Sequence, residues 1–181
     1  IGDGRIMLMW GYLTVVLTAI IWTLIGVTHN PVWNWLWFLL WIIGGTLTPI
    51  MDKKMQHEKG FKNYSDTVTS RIWSTVGFSA IVATAICLAF LLVGGIDAWS
   101  MMFAIALVIV PFAEIASGIV VKEKSMIIGG AIGLSAGLFT MACIAGNVAL
   151  YASWFMPLFI LVWVAMMIIP GHIINYKAKK Q

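Results

Sequence analysis

Apolar residues run along this chain in six long stretches, and polar residues gather only in the gaps between them. The stretches cover roughly 6–28, 32–50, 70–93, 98–121, 125–146 and 149–171. A bilayer core is ~30 Å thick, so a helical span needs about 20 apolar residues, and each stretch meets that length. Lipid offers no hydrogen-bond partners to open backbone groups, so the spans must be helices. The ten-residue alternation of a membrane β-barrel is missing from these runs. The gaps carry turn chemistry: Thr28-His29-Asn30-Pro31, Gly94-Gly95-Ile96-Asp97, Lys122-Glu123-Lys124-Ser125 and Gly146-Asn147. The pattern predicts an all-α polytopic membrane protein, one transmembrane domain over 1–181, with six helices arranged as three hairpins and span five near the centre.

Charge gives the span count a second time. All eleven Lys and Arg fall before span one, between or at the edges of spans two and three, between spans four and five, or after span six. Six spans therefore put every cation on one side, and Asp97 is the one charge on the other. The positive-inside rule then makes both termini cytoplasmic. Trp33, Trp35, Trp99 and Trp154 fall near outer span ends, and Trp10 and Trp73 near inner ends, as headgroup anchors would. Trp37 and Trp41 lie deeper, packed between helices or facing lipid.

Composition agrees. The chain is 61% hydrophobic and 10% charged, and a soluble domain of 181 residues has no interior for so much apolar surface. Net charge is +4; with the basic residues at helix ends, the expected partners are membrane lipids rather than nucleic acid. The chain starts at Ile1 rather than Met, so a further upstream segment is expected. The first stretch is too long for a signal-peptide core and lacks a small-residue cleavage site, so it reads as a true span. Residues 51–69 form a polar cytoplasmic loop whose first half extends span two as a helix up to Gly60, with Asn63, Ser65 and Asp66 as N-cap types for the next helix. A homo-oligomer or a cytoplasmic protein docked on this loop are further candidate partners.

Glu114, within span four, is the most informative side chain. It lies in IVPFAEIASGIV, about 7 Å inward of the span midpoint at 1.5 Å per residue. An ionised carboxylate in hydrocarbon costs at least a few kcal/mol, so such residues usually face a bundle interior or water. Two readings stand side by side: an ion- or proton-coupling group, or a carboxylate bonded to a nearby Ser, Thr, Trp or Lys. Ser117, Thr46 and Thr48 join Glu114 as candidate cavity residues. Pro111 would bend the helix beside the acid. Thr14 and Thr18 share a face of span one and either continue that polar path or bond their own backbone.

Gly129, Gly133 and Gly137 recur every fourth residue along span five, a face suited to close helix packing. The hairpins also rhyme weakly, RIMLMWG against RIWSTVG, which suggests a repeat or merely shared membrane grammar. His29, His57 and His172 are scattered, and Cys87 and Cys143 form no metal spacing, so neither metal nor cofactor is expected. No motif of hydrolases, nucleotide binding, aquaporins or voltage sensors occurs.

RIMLMWGY at 5–12 and PGHIINYK at 170–177, set around six spans, resemble a group of small uncharacterised membrane proteins of Bacteroides-type bacteria. The resemblance implies a bacterial inner-membrane location and carries over no activity. Three functions are expected in descending order: transport of a small solute or ion through a polar cavity near Glu114, a membrane sensor or partner subunit, and an intramembrane enzyme.

Overall fold

The computed structural model describes residues 4–60 and 63–180; Lys62 of the predicted loop lies outside them. Among the described residues every regular element is a helix: α1 (Arg5–Thr28), α2 (Trp37–Lys59), α3 (Tyr64–Gly94), α4 (Ser100–Val121), α5 (Lys124–Ala145), α6 (Ala152–Trp163) and α7 (Ile169–Ala178). A 3₁₀ turn, Pro31–Leu36, leads into α2, and a π turn, Val164–Ile168, joins α6 to α7 without a break. Six helical stretches are long and apolar enough to cross a membrane, with α6, the π turn and α7 counting as one. The chain is a multi-pass membrane protein.

Local chemistry ends each helix. His29 takes a left-handed backbone (φ 51°) and returns its N–H to the Ile25 carbonyl. Asn30 then accepts from the Val32 N–H, and Pro31, which has no N–H to satisfy, starts the 3₁₀ turn. Gly60 closes α2 at φ 73°, a conformation that costs glycine least. The segment 51–69 is therefore mostly helix, α2 reaching Lys59 as expected and α3 starting earlier than expected, at Tyr64. Lys122 (φ 57°) ends α4, and the Glu123 carboxylate caps α5 by accepting from Ser125 N–H and Oγ.

The helices fall into two compact units, residues 1–63 with 151–181, and residues 64–150. In the first, α1 is the helix on which both α2 and the α6–α7 stretch pack. Glycines make the contacts close. A Cβ on Gly11 would lie 2.9 Å from Ile168, and one on Gly171 2.8 Å from Leu8. Gly44 leaves the space that the Trp10 indole fills. Trp10 donates to Thr48 Oγ1 at 2.9 Å and meets Trp41 edge-on at 6.4 Å. Trp10 thus ties α1 to α2, because the glycine opposite admits its ring. Trp37 packs edge-on against Phe159.

In the second unit α4 is central, with α3 and α5 packed on it. The α4–α5 seam is the closer of the two. A Cβ on Gly130 would lie 2.8 Å from the Pro111 carbonyl, and one on Gly118 2.9 Å from Met126. Gly137 meets the Leu107 carbonyl more closely still. Gly129, Gly133 and Gly137 are all buried, so the small-residue face of span five is a packing face. Of the expected hairpins, α1 packs on α2 and α3 on α4, whereas α5 packs on α4 and α6 on α1, in different units.

The outward surfaces are apolar. In α2 only Gly44 is buried, and in α3 only Ala83 and Cys87. Phe78, Ile81, Leu92 and Val93 stand more than half exposed, an arrangement suited to lipid and unsuited to water.

Candidate functional site

Glu114 sits on α4 one turn past Pro111. Proline lacks the N–H that would serve the Leu107 carbonyl. Gly137 of α5 covers that carbonyl, its missing side chain allowing the backbone to close over it. The contacts of Gly118 with Met126 and of Gly130 with Pro111 and Ile115 fix the register of the two helices. Glu114 falls at the level of Gly130, flanked by Gly129 and Gly133. At that level α5 carries three buried glycines, Gly129, Gly130 and Gly133.

The Glu114 side chain is fully buried (0% exposed), and neither carboxylate oxygen has a hydrogen-bond partner among the described residues. Ser117, nearly one turn further along α4, is equally buried, and its Oγ is also unpartnered. This is unusual in the molecule. Most span hydroxyls bond the carbonyl one turn back, as Thr18 does to Thr14, Thr84 to Ala80, Ser135 to Ala131 and Thr140 to Ala136. Glu114 and Ser117 are instead polar groups held away from water with unused bonding capacity, an arrangement that carries a free-energy cost.

Within the second unit a cavity of about 420 Å³ opens between α3 and α4. Its walls are apolar: Phe78, Val82, Ile86 and Phe90 from α3 face Met101 and Ile105 from α4. Glu114 does not line it. Nine residues separate Ile105 from Glu114, about two and a half turns at 3.6 residues per turn, so the carboxyl leaves α4 on the opposite side.

Thr46 and Thr48 belong to the first unit, and their hydroxyls are taken. Thr46 Oγ1 donates to the Ile42 carbonyl at 2.8 Å, and Thr48 Oγ1 donates to the Gly44 carbonyl at 2.6 Å while accepting from Trp10. Of the expected four, only Glu114 and Ser117 share a helix face and remain unpartnered. The first unit has unpartnered groups of its own, among them Thr14 Oγ1 and Trp163 Nε1, both buried. Trp163 immediately precedes the π turn; nothing in its apolar surroundings in the sequence marked it.

At the polar ends of the first unit, Arg5 pairs with Glu58, the Gly4 N–H donates to Asn175 Oδ1 at 2.9 Å, and Tyr12 hydrogen-bonds His172 at 2.7 Å. Among the described residues no three His, Cys, Asp or Glu side chains gather into a metal-binding group. No known protein family, curated protein or solved structure matches this chain.

Proposed function

We propose that this protein moves a small solute or an ion across the bacterial inner membrane, with Glu114 as the group that binds it. Both termini lie in the cytoplasm, and the short connections at 28–31, 94–97 and 146–147 turn on the periplasmic side. The observation that carries the transport reading is the Glu114 carboxyl, buried in a membrane helix with both oxygens unpartnered. A charged side chain at such depth costs about 2.5–3.5 kcal/mol or more, and intramembrane carboxylates ordinarily mark ion pathways or proton relays. Ser117 adds a hydroxyl on the same face, able to donate to the carboxylate or to an occupant. The test is flux in proteoliposomes. Glu114→Gln keeps the shape and removes the charge, so it should abolish a flux that the native protein supports while circular dichroism stays unchanged. Undiminished flux in the variant would remove the reading.

A second reading, a membrane sensor or partner subunit, draws on α2. That helix continues past its apolar part to Lys59, and Arg5 holds its end through Glu58. It predicts a cytoplasmic protein that co-purifies with the native chain and is lost when Lys53, Lys54 and Lys59 are changed to Glu.

A further inference from the structure

The transport reading leaves the ion unnamed, and the surroundings of Glu114 narrow it. A bound sodium or potassium ion needs several oxygen ligands converging on it, and calcium takes about six to eight. On its own face of α4 the second unit offers three unpartnered oxygens, two from Glu114 and one from Ser117; Thr69 Oγ1, buried and also unpartnered, belongs to α3. At the facing level α5 has Gly129, Gly130 and Gly133, which bring no side-chain ligand. The nearest carbonyl freed by a proline, that of Leu107, is two turns away and covered by Gly137. The donor set is too small and too one-sided for a desolvated metal cation.

Among the described residues of this unit no protein cation completes the site either. On α5 the titratable groups are Lys124, more than one turn from Gly130 toward the helix start, and Cys143 toward its other end. On α3 they are Tyr64, Asp66, Arg71 and Cys87. Cys87 lies against the Ala98 carbonyl, and the antiparallel course of α3 and α4 then carries Arg71 to about the level of Glu114. The α3 helix, however, packs on the side of α4 opposite to the carboxyl. Lys122 and Glu123 follow α4 in the turn two helical turns beyond.

We infer that Glu114 is a proton-binding site, its carboxyl taking up and releasing a single proton within the membrane. This rests on the transport reading for its role but not for its chemistry. On uptake an O–H bond forms at one Glu114 oxygen as an O–H bond of hydronium breaks, leaving water and a neutral acid that needs no counter-ion. On release the proton returns to water, and the Ser117 hydroxyl, nearly one turn along the same face, would turn to donate to the carboxylate left behind. Ser117 is a positioning residue in this scheme.

A hydrophobic carbodiimide reads the protonated state directly. Dicyclohexylcarbodiimide enters the bilayer and adds a carboxylic acid across one C=N bond: the acid proton goes to nitrogen, the carboxyl oxygen to the central carbon. Acyl transfer to nitrogen then leaves a stable N-acylurea, and the protein gains the whole reagent mass. The full chain in lipid nanodiscs should be labelled at Glu114, located by peptide mapping. Labelling should fall as pH rises, stay unchanged when sodium or potassium is raised at fixed pH, vanish in Glu114→Gln and persist in Glu114→Asp. Ser117→Ala should move the pH of half-labelling without abolishing the label. Absence of label at Glu114 at every pH, or protection by sodium or potassium at fixed pH, would overturn the inference. If labelling behaves as expected but flux is untouched in Glu114→Gln, the proton site stands and the transport reading falls. Flux that depends on Glu114 with no pH-dependent label gives the reverse result.

Discussion

The two units are built alike and treat buried polarity differently. Each is a three-span group on a central helix, α1 in one and α4 in the other, and in each glycines let backbones approach. In the first unit the polar side chains mostly serve as fasteners. Trp10 bonds Thr48 across helices, Asn175 holds the Gly4 amide, and Thr18 and Thr48 bond carbonyls on their own helices. In the second unit the central helix keeps a carboxyl and a hydroxyl buried with nothing to bind. Spent polar groups hold a membrane fold together; unspent ones need another reason to be there. The contrast is one of degree, since Thr14 and Trp163 leave one unpartnered atom each in the first unit.

The sharpest way to break this comparison is at the α4–α5 seam. Gly137→Ala sets a methyl against the Leu107 carbonyl, backbone that cannot swing aside, with Val108 Cγ2 also close. Overpacking of this kind typically costs about 1–3 kcal/mol, and this site belongs at the upper end. Thermal unfolding in detergent should show a clear fall in Tm and lower folded yield. A smaller loss is expected from Trp10→Phe, which keeps an aromatic ring against Gly44 but removes the donor to Thr48. Interhelical hydrogen bonds in membranes average about 0.6 kcal/mol, so Tm should drop slightly, and Thr48→Val added to it should cost little more. The smallest effect is a gain. Gly45 has open space where its Cβ would go, unlike Gly44 beside it, so Gly45→Ala should stabilise by up to about 1 kcal/mol through helix propensity. A destabilised Gly45→Ala would mean that this face of α2 is covered.

Span number and helix punctuation were legible because hydropathy and turn residues act locally. Gly60 and Lys122 end helices where the pattern of residues says they should. The GxxxGxxxG face was legible too, since spacing of four marks one side of a helix. Gly130, one position off that spacing, also contacts α4, and Gly11, Gly44, Gly118 and Gly171 pack equally closely. An isolated glycine gives no such signal, because what it admits sits on a distant part of the chain. The same distance hid the grouping of spans: hydropathy finds helices but does not say which pair. Glu114 stood out from sequence because a lone carboxylate in an apolar run is costly wherever it lies. Whether Thr46 and Thr48 were bonded was not legible, since a hydroxyl satisfied by its own backbone reads the same in sequence as one left open.

The π turn at Val164–Ile168 has an effect beyond its own five residues. It seats one residue more than plain α winding would, and each residue turns the helix by about 100° at 3.6 per turn. Everything after it is therefore rotated in phase relative to Ala152–Trp163. Asn175, which accepts from the Gly4 amide just before α1, lies in the stretch so rotated, and ordinary α winding through Val164–Ile168 would turn it to a different side.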